Sequence, residues 1–174
     1  MRRTLVLAVF VAVAALLAAT VEPPKRLSGP ETVRGPRAIR ARAHDVQRLE
    51  LDVAGRRLAA EPAAGGGWRL DAGVASPALA EALDGLVTEL VGLRAVDAFR
   101  GTDLKPLGLD PPAATIAVTT SRGVQRLAFG SLNAVGSTVY ARREGHGRVL
   151  QVGVYVVELV RRIFEVRDRE ARAA

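Results

Sequence analysis

Residues 48–60 read Arg-Leu-Glu-Leu-Asp-Val-Ala-Gly-Arg-Arg-Leu-Ala-Ala and predict a β-hairpin. Leu49, Leu51 and Val53 alternate with charged residues, which is the pattern of a strand with one buried and one exposed face. Ala54-Gly55 then turns the chain, and the residues after it return as the partner strand. The fold is therefore expected to be built from antiparallel hairpins.

The first half of the domain is predicted to end in a helix. Residues 68–70 read as a short third strand, and Ser76-Pro77 as a helix start with Ser as N-cap and Pro at the first helical position. Apolar residues then recur at helical spacing, at Leu79, Leu83, Leu86, Val87, Leu90 and Leu93.

The second half repeats this plan. A strand at 115–119 is followed by a turn and its partner at 124–129, and a second hairpin joins 138–142 to 148–152. The closing helix carries an apolar stripe at Val156, Leu159, Val160, Ile163 and Phe164, although residues 153–157 could also extend the last strand. We therefore predict an α+β fold, with an antiparallel sheet of two hairpin-rich halves, each closed by an amphipathic helix.

A single N-terminal transmembrane helix is expected before this domain. Residues 5–21 form an apolar run of 17 residues that begins just after Arg2 and Arg3, which is just enough to span a bilayer. A signal-anchor helix at 1–21 fits best. A cleaved signal peptide is the alternative, although Thr20 makes the best cleavage site a poor one. A buried core helix fits less well, because the run is apolar all round and is bracketed by Arg2, Arg3, Glu22 and Pro23.

A Pro- and Arg-rich linker is predicted over 22–45, where proline and glycine interrupt regular structure. The more basic flank of a transmembrane helix tends to lie in the cytoplasm, and the basic residues of this linker favour the opposite orientation to Arg2 and Arg3. We expect the N-terminus inside and the main domain outside, because long domains can translocate regardless of their charge. The predicted location is the bacterial inner membrane, crossed once, with an extracytoplasmic domain.

The composition limits the chemistry that this chain can perform. It contains no cysteine and only two histidines, His44 and His146, which excludes a disulfide scaffold, a thiolate metal site and a multi-histidine centre. The 25 basic residues exceed the 18 acidic ones, but many alternate with acids, as in residues 161–170, which does not favour nucleic-acid binding. No catalytic, metal or cofactor motif is recognisable, so we expect no enzyme and no cofactor.

The order of several short motifs resembles a known family. A Gly-Trp-x-Leu strand precedes the first helix, the turn at 107–113 leads into the next strand, and a Tyr-x-Arg strand follows. This order is similar to that of the DUF4340 family, a group of bacterial proteins of undefined function, over about residues 46–168. The residues that carry the resemblance are Trp68, Gly108, Leu109, Asp110, Pro111, Gly130, Tyr140 and Arg142.

The resemblance implies structural rather than catalytic roles for these residues, because the family offers no catalytic residues to transfer. It also implies a membrane-anchored accessory protein, since some members occur beside components of ABC-type transport systems. We expect residues 46–168 to form the domain and 169–174 a short tail. The leading hypothesis is an interaction protein that binds ABC-type transporter components. The alternative is a module that binds a glycan or lipid ligand in a pocket near Trp68 or Tyr140.

Overall fold

The computed structural model describes residues 35–71 and 73–173. Within them the chain forms a short 3-10 turn, nine strands and two helices. In chain order these are the turn Ala43–Asp45, β1 Val46–Val53, β2 Arg56–Pro62, β3 Trp68–Leu70, β4 Gly73–Val74, α1 Pro77–Gly92, β5 Asp97–Arg100, β6 Ala114–Thr120, β7 Gly123–Leu132, β8 Thr138–Arg143, β9 Arg148–Gly153 and α2 Tyr155–Ala173.

All nine strands belong to one sheet in the order β4-β3-β2-β1-β6-β7-β8-β9-β5. Every neighbouring pair is antiparallel. The two halves meet in the middle of the sheet, where Leu51 of β1 lies opposite Ile116 of β6. The prediction of an α+β fold with one antiparallel sheet and two helices is therefore confirmed.

Both helices pack on the same face of this sheet, and the core lies between them and the strands. Because side chains alternate between the two faces of a strand, Leu49 and Leu51 of β1 lie in this core. Leu127 and Phe129 of β7 lie there too, and each of the four is at most 1% exposed. Burial of a side chain of this size contributes roughly 1.5–3 kcal/mol. We call the opposite side of the sheet the open face.

The two helices begin in different settings. In α1, the Ser76 hydroxyl accepts a hydrogen bond from the Leu79 backbone N–H at 3.1 Å, and Pro77 follows it, so both predicted start signals are used. Helix α2 begins at Tyr155, directly after β9 ends at Gly153. Residues 155–157 are therefore helical and do not prolong the strand.

The folded unit begins earlier than the predicted boundary at Val46. Ala38 and Ile39, which fall in the predicted linker 22–45, are both fully buried in the core. The Ala38 backbone N–H donates to the Leu93 carbonyl at 2.9 Å, next to the end of α1. We call residues 35–42 the strap. An isolated Ala-Ile pair between arginines has no periodicity, so only tertiary packing reveals its burial.

Strand β5 is a second difference from the sequence-based prediction, which assigns no strand to this region. Asp97–Arg100 pairs with β9 along its whole length, with Phe99 opposite Val149. The strand is four residues long and charged at both ends, so its pattern is too short to distinguish it from a loop.

At the chain's C-terminal end, α2 continues to Ala173, so the residues expected to form a tail from 169 onwards are helical. None of the helices in residues 35–71 and 73–173 is both long and apolar enough to cross a membrane. The predicted transmembrane helix at 1–21 lies outside the described residues.

Candidate functional site

The turn that carries four of the eight family-like residues packs against β7. We call residues 101–113, between β5 and β6, the crossover segment. The Ser131 backbone N–H donates to the Leu107 carbonyl at 2.8 Å, and Gly108 next to it has φ +64°. A Cβ atom on Gly130 would lie 2.0 Å from that same carbonyl oxygen. The two glycines therefore allow the turn and the strand to touch backbone to backbone.

The remaining residues of the motif divide between the two faces of the sheet. Leu109 is buried on the open face and shares a shallow depression with Arg142. Tyr140, also on the open face, meets Phe99 edge-on at a ring distance of 6.3 Å. Asp110 and Pro111 are exposed and joined by a cis peptide bond.

Trp68 lies on the other side, in the core beneath α1. Its side chain is 4% exposed, and its indole N–H donates to the carboxylate of Asp84 at 2.8 Å. Trp68 is thus an anchor between β3 and α1. Neither Trp68 nor Tyr140 lines the main apolar cavity described below.

The open face over β1 and β2 carries a ladder of paired charges. Arg48 contacts Glu50 at 2.8 Å and Glu61 at 2.7 Å, and Glu61 also binds Arg69 at 2.8 Å. Hydrogen bonds from Arg69 and then from Arg48 hold the pKa of the Glu61 carboxyl below its ordinary value. Because these charges satisfy one another, this part of the open face offers little to a charged ligand.

An apolar cleft opens between α2 and one end of the sheet. We call this the cleft end, where β1, β7 and β9 finish. The cleft has a volume of about 390 Å³, and its mouth carries the charged residues Arg56, Arg161 and Glu165. The apolar lining comes from three strands and α2: Val53, Ala114, Ile116, Phe129, Val156, Val157, Val160 and Phe164.

Arg56 is held at the mouth of this cleft by two contacts. Its guanidinium lies 4.7 Å from the centre of the Phe164 ring and pairs with Asp168 at 2.6 Å. Both contacts tie the β1–β2 turn to α2. They keep one wall of the cleft in place without filling the cavity.

The opposite end of the sheet is strongly basic. We call it the basic end, where β6 turns into β7 and β8 turns into β9. A surface depression of about 530 Å³ there is lined by Arg40, Arg122, Val124, Gln125, Arg126, Arg143, Glu144, Gly145 and His146. Four arginines thus face one carboxylate.

Sequence reasoning missed both the cleft and the basic end. Phe129 falls in the predicted strand 124–129, Val160 in the apolar stripe of the closing helix, and Arg122 in a predicted turn, and none of these assignments points to a cleft or a basic surface. The sequence signal that could have revealed the basic end is the arginine content of the β6–β7 and β8–β9 turns. Because β6 to β9 are consecutive antiparallel strands, these two turns lie at the same end of the sheet. The cleft had no sequence signal, because its walls come from distant segments.

The comparisons with known proteins identify a family but no individual relative. No curated protein and no solved structure matches the chain. A family model described as a domain of unknown function, DUF4340, matches residues 68–171. The match runs from β3 to α2, covering more than half of the chain, and includes every motif residue described above. The chain therefore belongs to the DUF4340 family.

Proposed function

We propose that this chain is a membrane-anchored, extracytoplasmic accessory protein whose domain binds another envelope protein, a component of an ABC-type transport system. The apolar run at residues 5–21 supports the anchor, and the family resemblance supports the accessory role. The apolar cleft between α2 and the sheet carries the proposal of protein binding.

The cleft has the character of a docking site for apolar side chains. Three large apolar residues are exposed at the cleft end: Leu132 is 53%, Val135 84% and Tyr155 54% exposed. Strand pairing brings the end of β7 close to the start of α2, because Leu132 lies opposite Val139 and Val139 lies opposite Val152. Val135 lies in the β7–β8 connection, and Tyr155 is the first residue of α2. Apolar residues grouped beside an apolar cleft are typical of a protein interaction surface.

The partner surface that fits this cleft best is the apolar face of a helix. One wall of the cleft is itself a helix, and the other is the end of a sheet, so an approaching helix could pack along α2. Arg161 and Glu165, which pair with each other at 3.7 Å on the surface of α2, lie at the mouth. They could re-pair with charges beside the apolar stripe of the partner and fix its register.

Lipid binding is the second candidate, and the same cleft favours it. A volume of about 390 Å³ lies in the usual range for ligand pockets, and eight of the eleven lining residues are aliphatic or aromatic. Such a lining suits an acyl chain better than a glycan, which requires several converging polar groups.

The test places a photo-crosslinking amino acid at Val157, a half-buried residue that lines the cleft. The full chain is expressed in its native membrane and irradiated. We expect a crosslink to a transporter component. The Val157→Glu substitution should weaken that association about tenfold or more, because it places a charge in the apolar contact.

Val74→Glu is the matched control. Val74 is an 80% exposed valine in the edge strand β4 and does not line the cleft, so its substitution should leave the crosslink unchanged. Thermal unfolding of both variants shows whether the domain remains folded. A crosslink to lipid alone would favour the second candidate. No crosslinked product at Val157 from a folded protein would contradict both.

A further inference from the structure

The basic end collects positive charge from three separate parts of the chain. Arg40 comes from the strap, Arg122 from the β6–β7 turn, and Arg143 from the end of β8. Arg126 of β7 lies in the same depression. These residues are up to 103 positions apart in sequence and meet because the strands of the sheet are in register.

Positive charge is poorly balanced at this end of the sheet. Arg126 pairs with Glu144 at 3.1 Å. Within residues 35–71 and 73–173, Arg40, Arg122 and Arg143 have no carboxylate within 4.0 Å. The depression therefore holds an excess of three positive charges, with His146 counted as neutral.

Backbone contacts hold these arginines close together despite their repulsion. The Gln125 side chain fastens the strap at Arg40 with two hydrogen bonds. It accepts from the Arg40 backbone N–H at 2.9 Å and donates to the Arg40 carbonyl at 3.1 Å. The Glu144 backbone N–H donates to the Arg126 carbonyl at 3.0 Å and fixes the β8–β9 turn beside β7.

Arg143 is the arginine most affected by this arrangement. Partial burial, and then the positive charge of Arg40, hold the pKa of Arg143 below its ordinary value. Its guanidinium packs against the imidazole of His146, with Nε donating to Nδ1 at 3.2 Å. An anion in the depression would offset the repulsion between Arg40 and Arg143.

We propose that the basic end is a binding site for phosphate groups. Guanidinium groups bind the oxygens of phosphate in a planar, two-pronged geometry, and several of them around one depression are the usual way to hold this group. The phosphate could belong to an anionic phospholipid headgroup or to a small soluble phosphate compound. Both sources present the same chemistry to the arginines.

Hydrogen exchange of the full chain tests this proposal at the site itself. One arm adds inorganic pyrophosphate to the protein in non-ionic detergent. The other arm compares vesicles of phosphatidylcholine with vesicles that also contain phosphatidylglycerol, so that any attachment through residues 5–21 is common to both. The readout is protection of the backbone amides in the turns at 120–123 and 143–147.

We expect protection of both turns in at least one arm. Protection by pyrophosphate indicates a soluble ligand, and protection only by vesicles with phosphatidylglycerol indicates a lipid headgroup. Replacing Arg122 or Arg143 by Gln should weaken binding about fivefold for each residue. This corresponds to the roughly 1 kcal/mol that an arginine contributes near an anionic surface. Arg143→Lys keeps the charge but loses the two-pronged geometry, so it should bind more weakly than the unsubstituted chain and more tightly than Arg143→Gln.

The matched control replaces Arg162 and Arg169 by Gln. Both are exposed arginines of α2, outside the depression, and their loss changes the net charge by the same amount. An equal loss of binding in this control would overturn the proposal, because net charge alone would then explain the effect. Absence of protection in both arms would also overturn it.

Discussion

Gly108 and Gly130 set how closely the crossover segment approaches the sheet. Gly108 has a positive φ, and a Cβ on it would lie 2.4 Å from the Ser131 hydroxyl oxygen. At Gly130, the obstructing atom is the Leu107 carbonyl oxygen, which itself accepts the Ser131 backbone hydrogen bond. A Cβ on Gly108 would also lie 2.8 Å from the Ser131 backbone nitrogen, the donor of that bond. Neither the donor nor the acceptor can withdraw without breaking it, so the two glycines are structural requirements of the motif.

Gly130→Ala is therefore expected to destabilise the domain by roughly 1–3 kcal/mol, the usual cost of forcing extra volume into a tight contact. Urea unfolding of the full chain measures this difference. Gly65→Ala serves as control, since a Cβ at Gly65 would meet nothing within 4 Å and the backbone there is not in the left-handed region. Equal stability of the Gly130→Ala variant and the unsubstituted chain would contradict the role given to this contact.

At the scale of elements, the start of α1 is also the point where the two helices are fastened together. The Ser76 hydroxyl caps α1 and also donates to the carboxylate of Glu170 near the end of α2. Arg167 of α2 donates a hydrogen bond to the Arg57 carbonyl in the β1–β2 hairpin at 2.7 Å. The last turns of α2 thus hold both the start of α1 and the β1–β2 hairpin.

Ser76→Ala should cost about 1 kcal/mol, the usual value for an N-cap. Ser76→Asp keeps an acceptor for the Leu79 N–H but brings a second carboxylate against Glu170. At neutral pH it should therefore be less stable than the unsubstituted chain. Chemical denaturation of the two variants checks this order, with the exposed Ser137→Ala as control. If Ser76→Asp proved more stable than the unsubstituted chain, the contact with Glu170 would not be significant.

At the scale of the whole molecule, the central pairing of β1 with β6 joins the two halves into one sheet. Each half is a meander followed by a helix, and β1 and β6 hold matching places in them. The β2–β3 and β7–β8 connections also match: Gly66 donates to the Ala63 carbonyl at 3.0 Å, and Gly136 to the Asn133 carbonyl at 2.9 Å. This agreement supports the shared plan inferred from the sequence.

Because β1 and β6 share one core, we expect both halves to unfold together. Leu51→Ala, at the centre of this pairing, should cost roughly 2–5 kcal/mol. Urea unfolding can be followed by the fluorescence of Trp68, which reports on the first half, and by far-ultraviolet circular dichroism, which reports on the whole domain. The substitution should lower the unfolding midpoint by the same amount with both signals. Val124→Ala, a 49% exposed residue of β7, is the control. Two separate transitions would contradict this prediction.

The sequence predicted the long periodic elements well and the short ones poorly. Strand β1 and helix α1 have clear apolar periods and cap or turn signals, so they were predicted close to their observed bounds. The strap and β5 were missed, because Ile39 and Phe99 lie in segments too short to show a period. Their place in the fold depends on contacts with Leu93 and β9, far along the chain.

By itself, the sequence determined the α+β class, the paired hairpins and the resemblance to the DUF4340 family, since local patterns of burial and turn formation carry this information. It also determined the apolar run at 5–21. Only the tertiary structure decided which side chains share a surface. The cleft and the basic end each join residues from at least three segments, and sheet order and register, which are long-range properties, bring them together.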